Sequence, residues 1–351
     1  MSIFQHREFA NHEDVCFFYN DATDLKTIIA IHNTGLGPAL GGCRMYPYSS
    51  DEEALTDVLR LSRGMSFKSA ISRLPLGGGK SVIIGDPHKD KTEALLLAMG
   101  KAVDQLGGRY IVAEDSGTGV DDMRVIHRTT KHVAGIIDDD PERDGDPSPS
   151  TALGVFVGVR EAARHKLGIT DLKGVRVALQ GLGHVGQRLA WYLFEAGAEL
   201  FVADTYQPHI EKVASEMKVT VVDSAEIMTL DVDVFSPCAL GAVLSEQSIP
   251  GLRARVVAGA ANNQLAHPED GQRLVDAGIL YAPDYVINAG GVIDVYYQVC
   301  GESVQKSREH ILTIDDTLRE IFDRAEETGR PSQDIADEIA RQRFEAVTGG
   351  R

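Results

Sequence analysis

The sequence predicts a two-domain α/β protein, with an N-terminal mixed α/β domain followed by a Rossmann-type doubly wound parallel sheet. Three observations carry that expectation. The chain of 351 residues is too long for one ordinary core and suits two domains. Strand-like and helix-like runs alternate through both halves. The second half opens on a strand followed at once by G-x-G-x-x-G and a helical run.

Residues 26–33, KTIIAIHN, read as a buried strand, and 40–48 as another after the glycine-rich GLGPALGG. Ser50 with Glu53 forms a capping box, and Ala54, Leu55, Val58, Leu59 and Ser62 recur at helical spacing, so 51–64 should be an amphipathic helix. A strand at 80–84, a helix at 92–106, a strand at 110–113 ending in Glu114-Asp115 and a helix at 120–131 complete the first domain. Residues 137–150 then read IDDDPERDGDPSPS, with six acids, three prolines and one glycine. The EF-hand pattern is absent, so this stretch reads as a solvated connection and not as a calcium site. A helix at 151–166 follows it.

Residues 174–180, GVRVALQ, form a strand that leads into Gly181, Leu182, Gly183, His184, Val185 and Gly186, then a helical run to Ala196. A second strand, 200–203, ends at Asp204, 23 residues after Gly181. Gly181 permits the tight turn, Gly183 lets a pyrophosphate approach, and Gly186 lets helix and strand pack, while the helix N-terminus offers N–H groups to phosphate. Asp204 would accept hydrogen bonds from ribose hydroxyls and repel a 2′-phosphate, so the expected cofactor is NAD and not NADP. Strands at 219–222, 232–236, 256–260 and 279–281 extend a parallel sheet with helices on both faces. Cys238-Ala239 and the run from Ala260 through Asn262 sit at strand ends, on the expected cofactor side. Asn288 either caps a helix beginning near Val292 or contacts ligand, and helices at 311–328 and 332–347 end the chain.

A net charge of -17 would repel nucleic acid and anionic membrane surfaces. No stretch approaches ~18 uninterrupted apolar residues, so a cytoplasmic protein without membrane or nucleic-acid partners is expected. Cys16, Cys43, Cys238 and Cys300 are scattered, which indicates reduced, mostly buried thiols, with no disulfide framework and no metal site.

The stretch 64–80, GMSFKSAISRLPLGGGK, with Ala113-Glu114-Asp115 beyond it, carries the chemistry. An unpaired lysine is costly to bury, whereas three glycines let the backbone approach a small ligand with N–H groups facing it. Most lysines are solvated surface charges, and GGGKS imitates the end of a phosphate loop, but the required first glycine falls on Leu74 and that pattern fails. Lys68 suits a substrate carboxylate. Lys80, shielded from water near a second cation, should have its ammonium disfavoured and serve as general base. Asp115 can shuttle a proton to or from an amino group. All three are expected where a strand meets a loop. A substrate with a carboxylate and an α-amine fits this set, and the reaction is oxidative deamination of an amino acid to a 2-oxo acid and ammonia, or its reverse.

The runs GPALGGCRM, GMSFK, LGGGK, AEDSGTGVDDM, DPSPSTALGVF, SPCALG, AGAANNQL and APDYVINAGGVIDV closely resemble the leucine dehydrogenase branch of the Glu/Leu/Phe/Val amino-acid dehydrogenases. The resemblance implies Lys80 as catalytic lysine, Lys68 on the carboxylate, Asp115 in proton transfer, and Thr151 and Asn262 near the nicotinamide. It implies that Leu40, Ala113, Val292 and Val295 line the side-chain pocket, with Gly41 beside them. It further implies that the last helix returns to the first domain, giving domains of 1–135 with 331–351 and of 136–330, with a cleft between them that closes on substrate. Relatives form dimers, tetramers or octamers, and a dimer is expected here. Ser116, Gly119, His184 and Asp294 depart from the common pattern, and Asp294 should point away from the Val292 and Val295 face.

Four apolar positions exclude a glutamate side chain and favour branched aliphatic substrates, with an aromatic amino acid, Phe or Trp, as the alternative. Two further readings of another class are a catalytically silent NAD-binding protein, opposed by the intact Lys68, Lys80 and Asp115, and a phosphoryl-transfer enzyme, opposed by the failed loop spacing.

Overall fold

The computed structural model of the protein describes residues 3–136 and 146–348. The acidic connection between 137 and 145 lies outside the described residues. The chain folds as two compact units, one of Met1–Gly145, Val295–Glu302 and Ala340–Arg351, the other of Asp146–Asp294 and Ser303–Ile339. The return to the first unit therefore begins at Ala340, not at 331, and a short excursion at 295–302 accompanies it.

In the first unit, β1 (Asp14–Asn20), β2 (Leu25–Asn33), β3 (Ala39–Tyr46), α1 (Asp51–Ile71), β4 (Gly77–Ile84), α2 (Glu93–Asp104), β5 (Tyr110–Glu114) and α3 (Val120–His127) follow one another. The sheet order is β1-β2-β4-β3-β5, with β1 and β4 antiparallel to β2, and with β3 parallel to both β4 and β5. One face packs Ile28, Ala30 and Val82 against Ala54, Val58 and Leu59 of α1. The other packs Ile29, Ile31, Cys43 and Met45 against Leu95, Met99 and Val103 of α2 and Met123 and Ile126 of α3. The edge strand β1, absent from the expected elements, carries the apolar run 15–19 and turns Phe17 and Tyr19 to solvent.

Ser50 caps α1, its Oγ accepting from the Glu53 N–H at 3.2 Å, while three acids in the first turn suit the positive end of the helix. The reciprocal arm of the box goes to Ser49 instead, whose N–H and hydroxyl both donate to the Glu53 carboxylate. The helix does not stop at Gly64 but runs on to Ile71. A mid-helix glycine costs about 1 kcal/mol, less than is gained by burying Phe67, Ala70 and Ile71, where one large apolar side chain alone contributes about 1.5–3 kcal/mol.

Strand β4 begins at Gly77, so the three glycines are part of the sheet, with partners on both sides. All three answer to close packing within the chain. A Cβ on Gly77 would meet Asn33 O at 2.0 Å, one on Gly78 the Ser66 N at 2.0 Å, and one on Gly79 the Tyr110 ring at 2.7 Å.

In the second unit come α4 (Ser148–Leu167), β6 (Arg176–Gln180), α5 (His184–Glu195), β7 (Glu199–Ala203), α6 (Gln207–Glu216), β8 (Thr220–Val221), β9 (Val234–Pro237), β10 (Val256–Val257), α7 (Asp270–Asp276), β11 (Leu280–Tyr281), α8 (Asp284–Ile287) and α9 (Gly290–Val299). After α9 come α10 (Val304–Leu312), α11 (Ile314–Thr328) and α12 (Ser332–Thr348). Two of the four unit boundaries fall inside helices, one in α9 and one in α12. The helix expected to start at 311 is thus α11 alone, set off from α10 at Thr313. The sheet is fully parallel in the order β11-β10-β9-β6-β7-β8, so the direction of winding reverses between β6 and β9. The core at its centre includes Ala178, Phe235, Val257 and Tyr281.

Among the described residues no helix is long and apolar enough to cross a membrane. Of the four cysteines only Cys43 is buried, while Cys16 and Cys238 are half-buried and Cys300 is exposed, against the expectation of mostly buried thiols.

The packing around the glycines sets up a paired test. Gly78→Ala should destabilise the protein by about 1–3 kcal/mol, because the Ser66 backbone cannot retreat. Gly64→Ala, on an exposed helical site with nothing within 4 Å of its added Cβ, should stabilise it by about 1 kcal/mol. Chemical unfolding of both variants measures the two effects.

Candidate active site

Lys80 lies inside β4 opposite Ala30, two residues before Val82, and so shares the face that α1 covers. Its side chain is only 8% exposed and its Nζ lies 2.7 Å from Asp115 Oδ2, just beyond the end of β5. Arg44 on β3, opposite Val82, brings its Nε to within 3.1 Å of the same oxygen. Burying an ion without a partner costs several kcal/mol, so this carboxylate is what lets Lys80 stay inside. Burial by itself would raise the affinity of Asp115 for a proton, but Lys80 and then Arg44 outweigh it and hold the carboxyl below its ordinary range. Beside it, burial pushes the Cys43 thiol up to about 12.

The pair needs Gly42. A Cβ there would stand 2.7 Å from Asp115 Cβ and 3.1 Å from Lys80 Nζ. Gly41 is equally constrained, since a Cβ would fall 1.7 Å from Gly79 O, and its own carbonyl accepts from the Tyr110 hydroxyl at 2.7 Å. Leu40, buried, pairs with Gly78 and Ile111, while Ala113 at the end of β5 is half-buried beside Gly42.

Two sequence expectations change here. Lys68 is not at a strand end but in the last turn of α1, half-buried, and Lys80 is mid-strand. The group found against Lys80 Nζ is a carboxylate and not a second cation, so the ammonium is matched by opposite charge. Sequence reasoning also passed over Gly42, Arg44, Tyr48 and Asp57. An arginine in the otherwise apolar strand ALGGCRMY was the available signal.

In the second unit the glycine turn, Asp204, Cys238, Ala239, Ala260 and Asn262 follow the carboxyl ends of β6, β7, β9 and β10. Gly181 follows β6 with φ 98°, and a Cβ on it would meet Ala239 and Cys238 after β9 at under 3 Å. A Cβ on Gly186 would meet Gly181 O at 2.0 Å, whereas one on Gly183 would meet nothing within 4 Å. That open place, at the N-terminus of α5, fits a pyrophosphate. Leu182 is buried, Val185 is half-buried, and the His184 side chain is 79% exposed.

Asp204, beyond β7, accepts from the Leu182 N–H at 2.6 Å and the Tyr206 N–H at 2.7 Å. Burial works against its charge, but these donors prevail and hold its carboxyl below the usual range. Its anion is therefore fixed just beyond β7, against the glycine turn that follows β6.

Asn288, at the end of α8, donates its amide to Ala260 O at 3.1 Å and to Asn262 Oδ1 at 2.7 Å, so it orients a strand-end loop. The Thr151 hydroxyl, in the first turn of α4, donates to Pro147 O and lies against Gly291. Cys238 Sγ accepts from the Ala260 N–H. Val292 and Val295 are half-buried on α9, and Asp294 is buried there, accepting from the Ser307 hydroxyl of α10 at 2.9 Å. Among the described residues no group of three metal-ligating side chains forms.

Residues 14–132 match the Glu/Leu/Phe/Val dehydrogenase dimerisation domain, and residues 198–347 match the Glutamate/Leucine/Phenylalanine/Valine dehydrogenase family model. The chain belongs to the Glu/Leu/Phe/Val dehydrogenase family. It is 45% identical over 353 residues to a leucine dehydrogenase of Geobacillus stearothermophilus, covering 100% of this chain and 95% of that one. It is 47% identical to a valine dehydrogenase of Streptomyces virginiae, covering 97% and 95%. A crystal structure of L-tryptophan dehydrogenase from Nostoc punctiforme superposes with a TM-score of 0.85 at 44% identity, over 96% of this chain and 97% of that one. Membership of this dehydrogenase family makes the chain an amino-acid dehydrogenase.

The lowered Asp115 carboxyl fixes the sign of a pH effect. Its contribution to stability is complete above the unfolded value of about 3.9 and is lost as pH falls through the lower folded value. Asp115→Asn should cost about 3–5 kcal/mol at neutral pH, since it strands a buried ammonium. In unfolding titrations the gap between variant and wild type should narrow below about pH 4.

Proposed function

We infer that this chain catalyses NAD-dependent oxidative deamination of a branched-chain L-amino acid to the 2-oxo acid and ammonia, and the reverse reductive amination. The buried Lys80–Asp115 pair in a chain of this dehydrogenase family is the observation that carries the reading. Gly181 to Gly186 would hold the pyrophosphate, Asp204 the ribose, and Thr151, Cys238, Ala239, Ala260 and Asn262 the region of the nicotinamide. The dinucleotide, when bound, supplies the hydride acceptor.

Lys68 offers a fixed positive charge to the substrate carboxylate. Lys80 acts as general base on the water that adds to the imine left after hydride removal, and Asp115, 2.7 Å away, receives or returns the proton. Ammonia then leaves with a proton from Asp115.

Leu40, Gly41, Ala113, Val292 and Val295 offer no charge to a substrate side chain, which supports an aliphatic group over glutamate, whose carboxylate would be desolvated without a cation. The likeness to both a leucine and a valine dehydrogenase supports a branched side chain. An aromatic substrate is the second reading, favoured by the tryptophan dehydrogenase likeness. The exposed edge strand β1, within the part matched as a dimerisation domain, supports a homo-oligomer, with a dimer as its smallest form.

NADH formation with a panel of amino acids tests this reading. Leucine, valine or isoleucine should give the highest kcat/KM, and Lys80→Ala should lose at least about 100-fold in kcat. A silent panel would sink the enzymatic reading; a tenfold preference for phenylalanine or tryptophan would change only the substrate.

Asp204→Ala should raise the KM for NAD with little change in kcat, because the ribose contact is made equally in ground and transition states. Initial rates at varied NAD and NADP measure it, and an equal loss of kcat would place Asp204 elsewhere in the reaction.

A further inference from the structure

Asp115 Oδ2 carries two cations, and the deamination uses only one of them. Lys80 Nζ stands 2.7 Å away and Arg44 Nε 3.1 Å away. The other arm of Arg44 is held as well, its Nη1 2.9 Å from Asp57 Oδ2 on α1, an oxygen that also accepts from the Tyr48 hydroxyl at 2.6 Å. One planar guanidinium thus bridges carboxylates from two separate elements, and its rigid fork fixes the angle between them. Burial and then Asp57 hold the Tyr48 phenol well above its ordinary range, so it remains a donor throughout the working pH.

The two cations differ in one respect that matters to a proton shuttle. An ammonium can give up its proton, while a guanidinium in a protein does not. When Lys80 acts as a base, one of the two positive charges on Asp115 disappears, and burial then favours the protonated carboxyl. Arg44 is the charge that stays. The titratable groups of β3 and β5 beside Asp115 do not replace it, since burial keeps Cys43 and Tyr110 neutral, and on α3 Asp122 is paired with Lys91 at 2.7 Å.

We propose that Arg44 is a positioning residue for the reaction: anchored by Asp57 and Tyr48, it keeps a permanent positive charge on Asp115 Oδ2 and holds that carboxylate toward Lys80 while the lysine is neutral. The proposal rests on the deamination reading for its consequence in catalysis. Arg44 makes and breaks no bond.

The full chain as wild type, Arg44→Gln, Arg44→Lys and Asp57→Asn supplies the test, each checked for folding by circular dichroism. Two quantities are followed against pH: kcat/KM for the preferred amino acid, and the 13C carboxyl resonance of Asp115, assigned by its loss in Asp115→Asn. Arg44→Gln should move the carboxyl titration up by about one pH unit or more, and the acid limb of kcat/KM with it. Arg44→Lys, which keeps the charge, should restore most of that shift. Asp57→Asn, which releases the arm of Arg44 that Asp57 anchors, should move both quantities in the same direction as Arg44→Gln by a smaller step. A folded Arg44→Gln with titration and limb unmoved, a titration that moves without the limb, or shifts of opposite sign in Arg44→Gln and Asp57→Asn would overturn the proposal. If the wild type oxidises no amino acid, the deamination reading fails instead, and the carboxyl titration still decides whether Arg44 governs Asp115.

Discussion

A lysine ammonium inside a sheet is tolerable only if an opposite charge lies within hydrogen-bond distance, and the first unit is organised around meeting that condition for Lys80. The partner, Asp115, comes from the end of a different strand, so β4, β3 and β5 must lie side by side in fixed register. Close approach of those strands is bought with missing side chains at Gly41, Gly42 and Gly79, where any Cβ would collide with backbone, with Asp115 or with the Tyr110 ring. Gly78 does the same for α1, which brings Asp57 up to Arg44. Packing and electrostatics are here one constraint.

The second unit keeps a carboxylate charged by other means. Asp204 is held first by two backbone N–H groups, with His209 Nδ1 3.5 Å away, whereas Asp115 is held by two side-chain cations. The difference suits the roles inferred for them. Backbone donors cannot change their charge, so in the proposed role Asp204 would be a steady acceptor for a ribose. Lys80 can change its charge, so in the proposed reaction the environment of Asp115 would vary and Arg44 would damp that variation. A permanent and a labile cation on one oxygen would keep a proton-transfer carboxylate both available and aimed.

The amino-acid sequence by itself determined the two-unit α/β organisation, the parallel second sheet and its dinucleotide turn, and the membership in an amino-acid dehydrogenase family. Those features are carried by local signals: alternating apolar runs, the glycine spacing from Gly181 to Gly186, and Asp204 at the end of the next strand. Tertiary structure decided what depends on residues far apart in the chain. It carried α1 past Gly64 because the buried Phe67, Ala70 and Ile71 outweigh one glycine, and it drew Gly77 to Gly79 into β4 because three different neighbours crowd them. It set a carboxylate and not a second lysine against Lys80 Nζ, and it joined Arg44 to Asp57 and Asp115. Periodicity reports which face of an element is apolar, but the partner of a buried charge is chosen by strand order and register, which no local stretch of sequence encodes.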